Sequence, residues 1–335
     1  DVAAFTGINL CIVLILWLGG NRIGRGFMQI GDITAMTEYA ILILFYIIMA
    51  QMVIILLPRA RVCIRRMEEV LETVPEIQDT EESAARPEEE GEEILRFENV
   101  GFCFSDAEEN TLKNISFTCR RGETTAIIGS TGSGKSTIAR LILRFHDVSQ
   151  GRILFRGQDI RSLPQKGLRK EISYVPQKAW LFSGTIKENL AQGKETAGEE
   201  EMFHALKTAQ ADFVKNLPQG LETKVAQGGT NFSGGQKQRL CIARALMKKT
   251  GLYVFDDSFS ALDFKTDKAL REALKEETKE AAVLIIAQRI STILHASQIV
   301  VLDEGEIAGI GTHEYLMENC DVYRDIARSQ MKGGE

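Results

Sequence analysis

The chain has 335 residues, 44% of them hydrophobic and 26% charged, enough for about two folded domains. A net charge of -6 gives no general attraction to nucleic acid. Six scattered cysteines (Cys11, Cys63, Cys103, Cys119, Cys241, Cys320) form no C-x-x-C pair, which argues against a zinc site or disulfide framework and suits a reducing compartment.

The average conceals a split along the chain. Residues 2–18, VAAFTGINLCIVLILWL, and 40–57, AILILFYIIMAQMVIILL, are uncharged apolar runs close to bilayer length. A polar segment separates them and Pro58 closes the second, so the pair predicts two membrane helices rather than one buried core helix. With a second run following directly and no small-residue cleavage site, a signal peptide fits poorly. A chain that opens on Asp1 and goes at once into a hydrophobic run is expected to be a piece of a longer membrane protein. Arg59, Arg61, Arg65 and Arg66 crowd the end of the second run and favour a cytoplasmic end there, while Arg22 and Arg25 between the runs weaken the contrast. Residues 71–93 are acidic, poor in apolar side chains and interrupted by Pro87, which predicts a solvated linker. From residue 94 to 335 the composition is that of a soluble domain.

The most specific signal is TTAIIGSTGSGKSTIARLIL. A β-prone run, Thr124 to Ile128, leads into Gly129, Ser130, Thr131, Gly132, Ser133, Gly134, Lys135, Ser136 and Thr137, and then into an amphipathic helix. This is G-x-x-x-x-G-K-[ST] in the strand–loop–helix setting that it requires. Glycines let backbone N–H groups turn inward around phosphates at the positive end of the helix. Lys135 reaches the β- and γ-phosphates, and the Ser136 hydroxyl suits Mg²⁺.

Three further stretches narrow the class. ISYVPQKAWLFSGTIKENL holds Gln177 after a short strand, and NFSGGQKQRLCIARALM opens a long amphipathic helix at Ser233, Gly234, Gly235 and Gln236. In LYVFDDSFSALD, an apolar strand ends in Asp256, placed for a metal ion, followed by Asp257 and, further on, Asp263. In this order the four stretches resemble the nucleotide-binding domain of ATP-binding cassette (ABC) proteins, over residues 94–330. The apolar runs upstream bring the resemblance closest to the exporter branch.

The resemblance implies an α/β P-loop domain, with a mixed sheet and a helical subdomain, preceded by α-helical transmembrane segments. Residues 1–70 then look like the last two helices of a transmembrane domain and its cytoplasmic extension. It also implies a transport ATPase that uses ATP and Mg²⁺, in the bacterial plasma membrane, with the cassette cytoplasmic. Its partners would be a second half-transporter subunit, the bilayer and a small-molecule, lipid or peptide cargo. Multidrug-type export is the analogy for the cargo. Each ATP would lie between one chain's phosphate loop and the partner's SGGQ helix. By the same resemblance Phe104 stacks on adenine, with Phe102 as competitor and sheet packing as the plainer role. Ser136, Gln177 and Asp256 meet Mg²⁺, and Asp263 lies across the dimer seam, although an N-capping role fits it equally.

Several features carry weaker implications. Gln227 stands where exporters often carry a glutamate in the segment that reports to the transmembrane domain. Trp180 fits either a contact with that domain or the core. Helices near 199–209 and 265–278 read as packing elements, and the C-terminal GTHEYLMENCDVYRDIARSQ reads as two short helices without a site. Glu38 and Arg25 suit membrane-interface charges better than cargo ligands.

Two positions depart from the family pattern. Asp257 stands where a catalytic glutamate is expected, and Gln288, in IIAQRIST, where a histidine is expected. Asp keeps the carboxylate but shortens the side chain by one methylene, and glutamine carries no positive charge. Phosphate-holding residues are all in place, and the signature differs only by Phe232 in place of a leucine. The pattern predicts a degenerate half-site in a heterodimer, binding Mg-ATP while hydrolysing it slowly or not at all. The alternatives are a homodimeric exporter with Asp257 as a slow base, and an ATP-binding regulatory membrane subunit.

Overall fold

The computed structural model describes residues 2–79, 91–105 and 107–332. It divides into two compact units, one up to Pro75 and the other from Glu76 onward.

In the first unit, α1 (Val2–Gly24) and α2 (Ile30–Leu71) are joined by a short turn. Both are long and apolar enough to cross a membrane, and the apolar window of α2 buries nothing within the protein. That exposure is costly in water and suits lipid. Each helix runs beyond its apolar stretch. The expectation that Pro58 closes the second helix is not met, because α2 passes through it to Leu71. A proline removes one backbone hydrogen bond. Here the segment before Pro58 is apolar enough for a membrane, where backbone groups have no partner but their own helix, and the turns on both sides carry the helix across that gap. At about 1.5 Å per residue, the 42 residues of α2 exceed what a bilayer needs, so its arginine-rich last turns extend past the apolar span. Gly19 on α1 lets Ile33 of α2 pack directly on its backbone, and a methyl group there would meet Ile33 Cδ1 at 2.6 Å.

The second unit begins with β1 (Glu93–Phe102), β2 (Leu112–Arg120) and β3 (Thr124–Gly129), which leads into α3 (Lys135–Ile142). Then come β4 (Gln150–Phe155), β5 (Gln158–Asp159), α4 (Gln165–Lys170) and β6 (Ile172–Val175). A mainly helical stretch follows: β7 (Gly184–Thr185), α5 (Ile186–Ala191), α6 (Glu199–Thr208), β8 (Lys224–Val225) and α7 (Gly234–Met247). The chain returns through β9 (Leu252–Asp256), α8 (Phe264–Glu277), β10 (Ala282–Ile286) and α9 (Ile290–Ile293). It ends with β11 (Gln298–Asp303), β12 (Glu306–Gly311), α10 (His313–Asn319) and α11 (Asp321–Lys332).

A six-stranded mixed sheet, ordered β12-β11-β3-β10-β9-β6, forms the centre, parallel except for β12. Beside it lies a four-stranded antiparallel sheet, β2-β1-β4-β5. Alternation along the central strands creates two cores. On β3, Ala126 and Ile128 join the core that includes α5, α6 and α7, while Ile127 joins the one that includes α3 and the antiparallel sheet. Strand β9 does the same with Tyr253 and Phe255 against Leu252 and Val254. A parallel strand covered on both faces must be apolar throughout, which is why β9 reads as an unbroken apolar run up to Asp256.

The acidic segment expected to be a solvated linker is in part docked. Asp79 Oδ1 accepts a hydrogen bond from the Gln165 backbone N–H at 3.0 Å and lies 3.7 Å from the buried Arg144 guanidinium. Its remainder, residues 80–90, lies outside the described residues.

Candidate functional site

The loop between β3 and α3 is shaped by its glycines. Gly132 and Gly134 take φ of +86° and +97°, conformations that side chains with a Cβ rarely adopt. At Gly134 a Cβ would also lie 3.2 Å from the Thr111 carbonyl oxygen and collide with the Leu112 side chain. At Gly129 it would collide with the Leu302 carbonyl, so the strand must end there without a side chain. Ser130 and Thr131 lie between them in the loop, and Ser133 is buried beneath it. Helix α3 starts at Gly134 with no side-chain cap. Lys135 Nζ donates to the carbonyls of Gly129 (2.8 Å) and Ser130 (2.6 Å), lying along the loop's inner edge. Burial pulls its pKa down, opposed by the charges of Asp257 and Asp256. The Ser136 hydroxyl is exposed, whereas Thr137 is buried against the core.

The carboxylates approach from the neighbouring strands. Asp256, 6% exposed, ends β9 in register with Ile286 of β10. Burial raises its pKa, and the Tyr174 hydroxyl, donating to Oδ2 at 3.1 Å, holds it back. Asp257 follows at φ +47° and donates its backbone N–H to the Ile286 carbonyl at 2.7 Å. Left-handed backbone is tolerated better by Asp and Asn than by longer side chains. Gln177 Nε2 donates to Asp257 Oδ2 at 3.2 Å. Burial raises the Asp257 pKa, opposed first by Gln177 and also by the backbone N–H of Gln288. Thus Gln177, Asp256, Asp257, Lys135 and the Gln288 backbone come together, although the Gln288 side chain is exposed.

Other expected positions resolve differently. Phe102 is 3% exposed in the core, whereas Phe104 is partly exposed, edge-on to Phe102 and to His146 with ring centroids 4.7 and 5.4 Å away. Of the two rings, Phe104 is the one that can offer a face to solvent. Asp263 caps α8, accepting from the Thr266 backbone N–H at 3.0 Å. Ser233 and Gln236 form a reciprocal cap at the start of α7, Ser233 Oγ accepting from Gln236 N (3.3 Å) and Gln236 Oε1 from Ser233 N (3.0 Å). Gly234 is exposed, and Gly235 packs below the Ala261 carbonyl. Trp180 is no core residue: it is 44% exposed, its ring seated over Gly228 at φ +71°. With Gln177, Gln227, Gly234, Lys237 and Ala261 it lines a cavity of about 540 Å³.

Two participants escaped the sequence reading. Tyr174 reaches Asp256 from β6, and only its place one residue before the strand's end, beside an apolar strand closing on a carboxylate, hinted at it. Gln330 of α11 donates from Nε2 to the Gln288 carbonyl at 2.7 Å, while its Oε1 accepts from Ile290 N at 2.9 Å. Nothing local to Gln330 signals that clamp.

The donor set fits nucleotide and metal. A loop open at its glycines fits phosphate oxygens, and the oxygens of Ser136, Asp256 and Gln177 suit a hard cation such as Mg²⁺. Residues 112–260 match the family model for the ABC transporter. The chain carries an ABC transporter ATPase domain. It is homologous to ABC exporters. It is 44% identical over 327 residues to an uncharacterised ABC transporter ATP-binding protein of Mycobacterium tuberculosis, a match covering 96% of this chain and 56% of that protein. To an ATP-dependent lipid A-core flippase of Haemophilus influenzae it is 42% identical over 241 residues, 71% of this chain and 41% of the flippase. Among solved structures, a bacterial Atm1-family ABC exporter with ATP bound superposes with a TM-score of 0.87 at 33% identity, covering 98% of this chain and 58% of that one. The ABC chain therefore has the exporter fold, and it spans about half the length of the curated relatives it matches.

Proposed function

We propose that this ABC chain is part of one subunit of an ATP-driven exporter, and that its own nucleotide site holds Mg-ATP while hydrolysing it slowly or not at all. The glycine loop from Gly129 to Gly134 and Lys135 bind the β- and γ-phosphates, and Phe104 stacks on the adenine. Ser136, Asp256 and Gln177 hold the ion. Bound Mg²⁺ supplies charge neutralisation on the phosphates. The start of α7, Ser233 to Gln236, faces ATP held by a second subunit, with Asp263 at the seam between cassettes. On this reading the subunit sits in a bacterial plasma membrane with its cassette in the cytoplasm, which the two apolar helices support, and its cargo is a small molecule, lipid or peptide, with multidrug-type export the analogy.

One observation carries the degenerate-site reading: the residue at the base position is Asp257, short by one methylene, with Oδ2 already engaged by Gln177 at 3.2 Å. A general base must lie within hydrogen-bond reach of the attacking water, and misplacement near 1 Å costs about 10²-fold in rate. Gln288, with no positive charge to offer, compounds the deficit. ATPase assays on the full-length protein, alone and with a second subunit, test this. Slow turnover by the protein alone is expected, with Asp257→Glu plus Gln288→His raising it by about 10²-fold. Strong turnover by the protein alone, abolished by Asp257→Asn, overturns the reading in favour of a homodimer. ATP binding with no ATP-dependent cargo movement across vesicles by the paired subunits overturns the exporter role in favour of a regulatory one.

A further inference from the structure

The strand end that carries Asp256 is braced from β6. In the parallel pairing of β6 and β9, Tyr174 lies opposite Val254. Side chains two apart on a strand share a face, so Asp256 lies on the same side as Val254, about 6.6 Å further along. A tyrosine is long enough to cross that interval. Its ring packs against the core that holds Val254 and Ile138 of α3, and its hydroxyl donates to Asp256 Oδ2 at 3.1 Å. Gln177, three residues on in the same segment, does the equivalent for Asp257. Each of the two adjacent carboxylates thus receives one hydrogen bond from the β6 segment.

We infer that Tyr174 is a positioning residue for metal binding: its hydroxyl fixes the rotation of the Asp256 carboxylate, leaving the remaining oxygen directed at the ion. The inference rests on the reading of Asp256 as a Mg²⁺ ligand. An ionised carboxylate offers about four acceptor positions. Occupying one with a half-buried phenol restricts the torsion that would otherwise have to be ordered when the ion binds. Groups that orient metal ligands in this way are typically worth 10–100-fold in affinity. A merely space-filling role is satisfied equally by phenylalanine, which keeps the ring and loses only the oxygen.

Tyr174→Phe in the full-length protein separates these roles. Mn²⁺ is titrated into the ATP-loaded protein and followed by electron paramagnetic resonance, and ATP affinity is measured separately in excess EDTA. Tyr174→Phe is expected to weaken Mn²⁺ binding about tenfold with unchanged metal-free ATP affinity. Unchanged Mn²⁺ affinity overturns the inference, and so does an equal loss of Mn²⁺ and metal-free ATP binding, which marks a structural role. Asp256→Asn is run beside it. If Asp256→Asn weakens Mn²⁺ binding and Tyr174→Phe does not, only the Tyr174 inference fails. If Asp256→Asn has no effect either, the metal assignment falls and the inference with it.

Discussion

Helices α3 and α7 both begin at glycine-rich stretches, yet their first turns dispose of the free N–H groups differently. Helix α3 starts from Gly134 in a left-handed conformation without a side-chain cap. Helix α7 starts from Ser233 in an extended conformation and closes a reciprocal cap with Gln236. A capping box satisfies two backbone donors from within the chain, so α7 is a complete helix start in its own right. The uncapped α3 has its first turn supported by the loop backbone, with Lys135 Nζ on the loop carbonyls. The difference teaches that one helix start leaves its first N–H groups without a side-chain cap, as the proposed binding of phosphate there requires, while the other is an exposed, pre-formed surface at Ser233 and Gly234.

The sharpest way to break that comparison is Gly134→Ala. The added methyl meets the Leu112 side chain and the φ of +97° strains it. Nucleotide affinity, read by a fluorescent ATP analogue, should fall by about 10²-fold or more, corresponding to roughly 3 kcal/mol of strain and lost contacts. Ser233→Ala should leave that affinity unchanged in the single protein. Its effect belongs to α7, where loss of the cap costs about 1 kcal/mol, a fall in Tm of roughly 2–4 °C by calorimetry. If Ser233→Ala weakened the chain's own ATP binding as much as Gly134→Ala, the division of labour between the two helix starts would be wrong.

A smaller effect tests the carboxylate that faces α3. Burial raises the pKa of Asp256 above its unfolded value. Between those two values the folded state binds more protons than the unfolded one, so stability falls as pH rises through the window. Above the folded-state pKa the ionised carboxylate therefore destabilises the nucleotide-free protein. Asp256→Asn should raise its Tm at pH 7 by roughly 2 °C. The gain should shrink as pH drops toward the ordinary aspartate range, and a gain independent of pH would contradict burial as the cause.

Much of the site was legible because its geometry is local. The spacing from Gly129 to Thr137 encodes a backbone path, and an unbroken apolar run ending in Asp256 encodes a strand covered on both faces. At Pro58 the local penalty of proline points to a helix end, and the long helical stretches on either side override it. The helix cap of Asp263 was visible beside its resemblance-based role, and the structure displays the cap.

By itself the sequence determined the phosphate loop, the two apolar helices, the start of the signature helix and the unusual pair Asp257 and Gln288, since each depends on residues close together in the chain. Only the tertiary structure decided that Tyr174 braces Asp256, that Gln177 holds Asp257, and that Gln330 clamps the loop of Gln288. Those contacts depend on strand register and on a terminal helix folding back over 42 residues. Register is set by which faces are buried, and that is a property of the whole packed sheet rather than of any one segment.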